Sequence, residues 1–471
     1  MAGKKDFAAA MRENRELSLK EKLEIVGELS LPGILAQISE IIMQYIDAAM
    51  VGVLGASASA SIGLVASSTW LFGGVVMAVA TGFSVQVAHA VGAGNQERAR
   101  SVFKQSIIAS LIVSGLVAGV GVMLAYKLPG WLGAEESLWH DATAYFLAYA
   151  LFLPVRQLNN LGIHMVQCTG NMKTPSILTA STCFLDVVFN YFLIFPSRSV
   201  SLFGLQLFMP GAGLGVLGAQ LGTSLAFAVC MLLIMYHAVF KSPYLSLKGV
   251  KGHWFPERDV LHEAWSIGFP MALGQCASTG AQVMSTRIVA PLGTVAIAAN
   301  SFAVTAESIC YMPGYGIASA ATTMVGQAVG AKRKDLAESF AWLTTITGMA
   351  IMTLTGALMW FLCPYVFAFL TPVEEVRALG TAVLRIELIA EPLFGASIVV
   401  TGALRGAGDT LVPNLVNFLS IWGIRITCSW LLVSRAGLKG AWYAMAFDLS
   451  VRGIVLLIRL KRGRWETKMD V

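Results

Sequence analysis

The sequence has few charged residues for its length. They make up 13% of the 471 residues, about half of the roughly 25% that is usual in soluble proteins. Hydrophobic residues, in contrast, make up 56%. A chain of this composition cannot cover a surface that faces water. The composition therefore excludes a soluble protein and predicts an integral membrane protein with several spans.

The sequence also lacks the motifs of several enzyme classes. It contains no Walker A segment, no G-x-S-x-G and no H-E-x-x-H, so ATP-driven transport and hydrolase chemistry have no support. Its seven cysteines form no CxxC pair, which argues against a disulfide framework or a metal site. We therefore expect a protein that is not an enzyme, needs no cofactor and binds no nucleic acid.

Apolar stretches of about membrane-spanning length recur along the chain. A span takes about 20 residues, and these stretches predict twelve transmembrane helices in an all-α integral membrane fold. They lie near 26–53, 60–83, 103–127, 141–168, 175–196, 214–240, 264–290, 297–323, 338–365, 378–404, 412–434 and 438–460.

The basic residues between these stretches are unevenly distributed. With twelve spans, 23 Lys and Arg residues fall on the side of the two termini and 5 on the opposite side. Basic residues favour the cytoplasmic side of a membrane. We therefore expect a multi-pass protein of the plasma (inner) membrane with both termini in the cytoplasm.

The two halves of the sequence repeat each other. LPGILAQ at Leu31 recurs as FPMALGQ at Phe269, an offset of 238 residues. The same offset relates Leu54 to Leu292, Val91 to Val329, Pro154 to Pro392, Gly170 to Gly408 and Pro175 to Pro413. Six helices per repeat give both halves the same topology, which predicts two six-helix lobes related by a parallel repeat, with a site between them.

The register of the repeat changes once. Gly215 and Gly218 correspond to Gly437 and Gly440 at an offset of 222. The first half therefore carries 16 extra residues. We place them at 196–211 and expect them to form an external flap or hairpin. The predicted divisions are an N-terminal tail (1–24), an N-lobe (25–240), a linker (241–261), a C-lobe (262–460) and a C-terminal tail (461–471).

Three segments resemble the multidrug and toxic compound extrusion (MATE) family of cation antiporters. They are YIDAAMVGVLG at Tyr45, ESICYMPGYGIASAATTMVGQAVGA at Glu307 and EPLFGASIVVTGALRGAGDT at Glu391. The resemblance covers about 25–460. It implies two lobes around a cleft that opens alternately to each side, and export of organic cations driven by inward flow of H⁺ or Na⁺.

Asp47 is the first candidate for a coupling-ion residue. No Lys or Arg lies between Lys22 and Arg98, and a carboxylate in hydrocarbon without a local cation either holds a proton or binds a cation. The resemblance matches Asp47 to the family's first-helix aspartate of the coupling-ion site. Glu40, two turns earlier on the same face, either lines the same cavity or lies near its entrance.

Asp186 and Asn190 are further candidates, because their i, i+4 spacing puts them on one helix face. With Asp47 they would supply oxygen ligands if the coupling ion is Na⁺. The resemblance places an Asn/Asp-type pair here, although in one branch of the family the order is reversed. Arg156 is an alternative, structural partner for Asp186. Thr223 resembles a helix-6 threonine near that site, or bonds its own helix backbone.

The second half offers three intramembrane acids for a substrate cavity. Glu307 precedes a Pro-Gly segment, and Glu387 and Glu391 share a helix face; Gln37 and Gln275 complete the predicted cavity. The C-lobe ion site of other family branches is incomplete, since Ser278 stands where they have a helix-7 glutamate.

Nearby basic residues offer these acids structural partners. Arg425 requires a partner, and a buried glutamate of helix 8 or helix 10 is the candidate; if it neutralises Glu391, that acid is structural. Arg385 would play a similar part for Glu387. Asp448 and Arg452, at i, i+4, predict an intrahelical pair.

These features predict a monomeric secondary active multidrug efflux antiporter of the lipid bilayer, exporting organic cations by alternating access. The residues leave H⁺ and Na⁺ open as coupling ions. The alternative is a lipid-linked precursor flippase of the related two-lobe superfamily. It would require a cationic cavity, and the chain has more intramembrane acids than that function predicts.

Overall fold

The computed structural model describes residues 17–202, 205–249, 254–463 and 465. The ends of both predicted tails (1–16 and 466–471) and part of the linker (250–253) lie outside the described residues. The described chain is helical apart from its connections and one β-hairpin, which confirms the all-α class.

The described residues of the first half form eight α-helices and the hairpin. They are α1 (Leu19–Gly52), α2 (Ala56–Gly92), α3 (Gln96–Ala125), α4 (Leu128–Trp131), α5 (Glu136–Leu151), α6 (Leu153–Cys168), α7 (Lys173–Ile194), β1 (Pro196–Leu202), β2 (Leu205–Ala212) and α8 (Gly215–Tyr236).

The second half repeats this order without the hairpin. It contains α9 (Arg258–Val289), α10 (Thr294–Gly330), α11 (Lys334–Leu370), α12 (Glu374–Leu388), α13 (Glu391–Gly406), α14 (Leu411–Ser420), α15 (Thr427–Ala436) and α16 (Leu438–Lys461). A π-helical turn, Ile421–Ile426, joins α14 to α15. We call α1–α8 the N-lobe and α9–α16 the C-lobe.

The backbone reproduces both offsets of the sequence repeat. Gly55 (φ 111°) and Gly293 (φ 93°), which are 238 residues apart, begin α2 and α10 in a conformation that favours glycine. Gly215 (φ 55°) and Gly437 (φ 56°), 222 residues apart, stand at the starts of α8 and α16. The two halves therefore have the same chain path on either side of the insertion.

The 16-residue insertion forms an antiparallel hairpin. Pro196 pairs with Ala212 and Leu202 with Leu205, with an irregularity between Pro196 and Arg198. The amide of Gly213 donates to the carbonyl of Phe195 (3.0 Å), which attaches the hairpin to the end of α7. The C-lobe passes from α15 to α16 through Gly437 instead.

Nine helical segments of the described chain are long and apolar enough to cross a membrane. Two other predicted spans are interrupted at equivalent places, because α5 and α12 end just before α6 and α13 begin, each with a proline at the new start (Pro154, Pro392). The third, α9, contains Gln275, Gln282 and several Ser and Thr residues, which lower its mean hydropathy. The protein is a multi-pass membrane protein, and the number twelve stays a prediction.

Both described ends of the chain lie on the same side of the fold. Val26 of α1, Leu336 of α11 and Leu460 of α16 belong to one buried cluster, whereas Val51 of α1 packs with Ile194 of α7 at the opposite end, beside the hairpin. We call these two ends of the molecule the terminal side and the hairpin side.

The first helix of each lobe packs into the other lobe. Val26 and Leu29 of α1 lie in a cluster built mainly from α10, α11 and α13. Val260 and Ala264 of α9 lie in a cluster built mainly from α2, α3 and α6. This exchange places both interlobe cores on the terminal side.

A symmetric pair of hydrogen bonds joins the lobes there as well. His89 Nε2 lies 2.8 Å from the carbonyl oxygen of Gly406, and Gln327 Nε2 donates to the carbonyl of Cys168 (2.7 Å). The offset of 238 relates His89 to Gln327 and Cys168 to Gly406. On each lobe, the bond satisfies a carbonyl at the end of a helix, where no further helical amide is present. The terminal side is therefore closed by matched contacts.

Candidate functional site

The predicted coupling residues of the N-lobe come together between α1 and α7. The Nδ2 amide of Asn190 donates to Oδ1 of Asp47 (2.9 Å) and to Oδ2 of Asp186 (3.1 Å). Asp186 and Asn190 are fully buried, whereas Asp47 is partly accessible. One amide thus bridges two carboxyl groups on different helices.

Two oxygens of this group have no hydrogen-bond partner among the described residues. They are Oδ1 of Asp186 and Oδ1 of Asn190. A buried oxygen without a partner costs about 1–3 kcal/mol, so these two oxygens are acceptors that a ligand could satisfy. Within the described chain, no set of three or more His, Cys, Asp or Glu side chains is placed to hold a metal ion, and this group has two carboxylates.

Helix α8 provides the third wall of the N-lobe group. Gly222 makes room for Asn190: a Cβ on Gly222 would collide with Oδ1 of Asn190 and lie 3.0 Å from its backbone nitrogen. Thr223 Oγ1 donates to the carbonyl of Ala219 (3.1 Å), and its side chain also contacts Asp186. Thr223 therefore both bonds the backbone of its own helix and lies beside the carboxylate group.

Arg156 of α6 stacks on aromatic rings near the group. Its guanidinium lies 4.4 Å from the ring centroid of Phe227 and 5.3 Å from that of Tyr149. It interacts electrostatically with Glu40 and Asp186, but forms no ion pair within 4.0 Å to a described residue. The structure does not support direct pairing of Arg156 with Asp186.

A small cavity of about 10 Å³ lies beside Arg156, enough for about one water molecule. Its lining includes Tyr149, Gln220, Ser224 and Phe227. Sequence reasoning missed these residues and Tyr145, which interacts electrostatically with both Asp47 and Asp186. The tyrosines of α5 could not be recognised as site residues from the sequence, because aromatic residues also occur where helices face lipid.

The three C-lobe glutamates also form one group. Glu307 of α10 and Glu391 of α13 are the electrostatic neighbours of Glu387. Glu387 and Glu391 are fully buried, and their four carboxyl oxygens have no hydrogen-bond partner among the described residues. Gly356 of α11 leaves space for Glu391, because a Cβ there would lie 3.1 Å from its Cγ.

Neither basic residue pairs directly with these glutamates, although Arg425 interacts electrostatically with Glu307 and Glu387. Arg425 Nε donates to Oδ2 of Asp448 (2.9 Å), so Arg425 does not pair with Glu391. Arg425 lies within the π-helical turn. Arg452 also bonds Asp448, which confirms the predicted intrahelical pair, and Ser420 donates to the same carboxylate.

Arg385 is likewise not a partner of Glu387. Its Nε and Nη2 donate to the carbonyl of Trp360 (3.2 and 3.1 Å). Glu387 lies two residues further along α12 and points away from this contact into the buried core. The glutamate group therefore has no direct cationic partner among the described residues.

The two predicted glutamines lie on α1 and α9, and both are partly accessible. Gln275 packs against Gly74 of the other lobe, where a Cβ would collide with its side chain. Gln37 occupies the equivalent repeat position. Gln275 therefore lies at the boundary between the lobes, apart from the carboxylate group of the N-lobe and the glutamate group of the C-lobe.

The chain matches the MatE family model twice, over residues 32–192 and 270–431. The probable multidrug resistance protein NorM of Thermotoga maritima is 25% identical, over 94% of this chain and 92% of that protein. A protein of the same name from Oceanobacillus iheyensis is 24% identical, over 94% and 97% of the two chains.

Solved structures share the fold. A MATE transporter in complex with MaL6 superposes with a TM-score of 0.87 at 19% identity, covering 99% of this chain and 100% of that one. A transporter of the MOP superfamily from Pyrococcus furiosus gives 0.86 at 18% identity, with both chains fully covered. The two family matches correspond to the two lobes and span most of the chain, which therefore belongs to the MatE family of transporters.

Proposed function

We propose that this protein is a secondary active multidrug efflux antiporter that exports organic cations in exchange for H⁺ or Na⁺. The observation that carries the proposal is the bridge from Asn190 to Asp47 and Asp186. It joins α1, which packs into both lobes, to α7 of the N-lobe. Relatives named as multidrug resistance proteins support the class of substrate, and do not favour the flippase.

The coupling step follows from the charges of this group. With Asp47 and Asp186 both ionised, two negative charges share one amide donor, and the unpartnered oxygens attract a proton or Na⁺. Binding removes the repulsion between the carboxylates and allows α1 to move relative to α7. A cationic solute is attracted by the same carboxylates, so ion and solute exclude each other.

The closed terminal side supports alternating access. With the termini in the cytoplasm of a plasma (inner) membrane, as the distribution of basic residues predicts, this conformation faces outward. Opening the terminal side would require the interlobe bonds of His89 and Gln327 to break. We propose a monomer that acts without a cofactor other than the coupling ion.

Glu307, Glu387 and Glu391 would form the acidic wall of the substrate cavity in the C-lobe. Their burial without a direct cationic partner favours a positively charged organic molecule that reaches them. Tyr311, which packs edge-to-face against Phe394 with ring centroids 5.6 Å apart, interacts electrostatically with Glu307 and Glu391. An aromatic pair beside carboxylates suits lipophilic cations.

A transport assay in liposomes tests the proposal. The flux of a fluorescent organic cation is followed under imposed pH or Na⁺ gradients, with wild type, Asp47→Asn and the matched control Asp141→Asn, which removes an exposed carboxylate. We expect gradient-driven flux in the wild type and control and its loss in Asp47→Asn, and the effective gradient names the coupling ion.

Two other outcomes would change the proposal. Flux that persists in Asp47→Asn would move the coupling site to Glu307 or Glu391. A folded wild type that shows no flux with either gradient would contradict cation antiport and direct attention to transport of lipid-linked precursors.

A further inference from the structure

A proline in α11 explains the position of Arg385. Pro364 has no amide hydrogen, so the carbonyl four residues earlier, that of Trp360, loses its helical partner. Arg385 of α12 replaces that partner with two bonds, of 3.2 and 3.1 Å. Its guanidinium also stacks over the Trp360 ring, 5.5 Å from the centroid. This contact satisfies the carbonyl but leaves the positive charge uncompensated.

No described carboxylate forms an ion pair with Arg385. A guanidinium has five N–H donors, and the Trp360 carbonyl occupies two of them. Arg385 borders a groove of about 510 Å³ between α11, α12 and α16. Three of the groove residues, Ile389, Tyr443 and Phe447, are 72%, 53% and 56% exposed, as expected of side chains that face lipid.

The ends of α16 place this groove in the hairpin-side half of the membrane. Lys439 and Arg459, near the two ends of α16, are 20 residues apart, which is roughly 30 Å at 1.5 Å per residue, the thickness of the hydrocarbon core. Tyr443, which lines the groove with Arg385, follows Lys439 by four residues, or roughly 6 Å. A long basic side chain at that depth extends its charged end toward the headgroups. Arg385 therefore lies within reach of lipid headgroups on the hairpin side.

We propose that this groove binds an anionic phospholipid, with Arg385 contacting the headgroup phosphate and Ile386, Ile389 and Phe447 contacting an acyl chain. A bidentate, charge-assisted contact to phosphate is the geometry for which a guanidinium is suited. The ligand comes from the leaflet on the hairpin side. Its negative charge supplies the counterion that the protein itself does not provide.

The sequence repeat shows that this site belongs to one lobe. The positions equivalent to Arg385 and Pro364 in the N-lobe are Leu147 and Tyr126, so the N-lobe has neither the cation nor the proline. The groove also includes Ile389 and Ala390, at the interruption between α12 and α13. A bound lipid would therefore contact the outer face of the interruption that positions Glu387 and Glu391.

Native mass spectrometry of the purified full-length protein tests the proposal by titration with phosphatidylglycerol and with phosphatidylcholine of the same acyl chains. Arg385→Gln keeps a donor for the Trp360 carbonyl and removes the charge. We expect its Kd for phosphatidylglycerol to rise about tenfold. Arg435→Gln, the matched control, removes an exposed arginine on the hairpin side and should leave that Kd unchanged, and phosphatidylcholine should bind all three proteins weakly and equally.

Photocrosslinking locates the lipid independently of its affinity. Benzoylphenylalanine at Phe447 should crosslink phosphatidylglycerol in the wild-type background and lose that product with Arg385→Gln. The same probe at Trp430, another exposed position, should give a product that Arg385→Gln does not change. Thermal unfolding of each variant verifies that it is folded.

Three results would overturn the proposal. These are equal affinity of wild type and Arg385→Gln for phosphatidylglycerol, equal affinity of the wild type for both lipids, or displacement of phosphatidylglycerol by millimolar inorganic phosphate, which would indicate a site for a soluble anion. None of these measurements depends on transport, so they test the lipid site independently of the antiport function.

Discussion

Gly33 of α1 and Gly316 of α10 touch through their backbones. A Cβ on Gly33 would lie 2.8 Å from the carbonyl oxygen of Gly316 and 3.3 Å from its Cα. Because those atoms belong to a helix, they cannot move aside as the end of a flexible side chain would. This contact between the lobes therefore has room for hydrogen atoms alone at both positions.

The first prediction is that Gly33→Val separates the lobes on the terminal side. Gly27→Val is the matched control, since nothing lies within 4 Å of a Cβ at Gly27 on the same helix. Spin labels at Glu97 and Glu338, both exposed and on different lobes, report the distance. We expect a longer distance in Gly33→Val, and an unchanged distribution there would contradict the close contact.

The second prediction concerns Gly222, which makes room for Asn190. Gly222→Ala should displace the Asn190 amide and leave both carboxyl groups chemically intact. Loss of a buried hydrogen bond costs about 1–3 kcal/mol, so ion-driven transport should fall about tenfold. Gly119→Ala, with nothing within 4 Å of its Cβ, should transport normally. Wild-type rates in Gly222→Ala would exclude a role for the amide bridge.

The third prediction concerns the buried carboxylate of Asp448. It balances Arg425 and Arg452 inside the C-lobe, so Asp448→Asn leaves two cations with no counterion there. Removing one member of a buried ionic group costs about 3 kcal/mol or more, and the melting temperature in detergent should fall clearly. Asp335→Asn breaks an exposed pair with Arg333, for which we expect less than about 1 kcal/mol. Equal melting temperatures of the two variants would contradict this difference.

The fourth prediction concerns an ion pair between the lobes on the terminal side. Arg98 Nη2 of α3 donates to Oδ2 of Asp259 in α9 (2.7 Å), and the guanidinium holds the pKa of Asp259 below its usual value. A carboxyl with a lowered folded pKa stabilises the contact above its ordinary pKa, about 3.9. That stabilisation is lost as the pH falls through the lowered value.

Arg98→Gln should therefore increase the open fraction of the terminal side at pH 7, by a factor of about two because the pair is exposed. The same spin-label distances measure it. The difference from wild type should shrink below pH 4 and in high salt. Asp335→Asn removes the exposed carboxylate of a pair that lies within the C-lobe and should have no effect on the interlobe distance. A difference that is independent of pH would refute the electrostatic explanation.

The repeat and the helix spacings made much of this protein predictable. The offsets of 238 and 222 predicted the equivalent chain paths and the inserted segment, and the i, i+4 spacing predicted that Asp186 and Asn190 share a face. The hydrogen bond from Asn190 to Asp47 could not be predicted in this way, because it depends on how α1 is rotated about its axis relative to α7. Local periodicity does not contain the packing of two helices far apart in sequence.

The partners of Arg425 and Arg385 could not be identified from the sequence. Several buried acids of the C-lobe were candidates for Arg425, and its bond goes to Asp448 of α16. Arg385 bonds a backbone carbonyl that is vacant because of Pro364, which requires knowing that α11 and α12 are neighbours. Charge counting predicts that an intramembrane arginine has a partner, but it does not identify that partner.

The glycine contact between α1 and α10 has a consequence for the speed of conformational change. Interlocked side chains must leave their rotamers before two surfaces part, which adds an activation barrier. Gly33 and Gly316 offer no side chains to disengage, so this contact adds little to that barrier. The resistance to separation on the terminal side comes instead from the two interlobe clusters and from the interlobe bonds of His89 and Gln327, and these contacts would set how fast the lobes part.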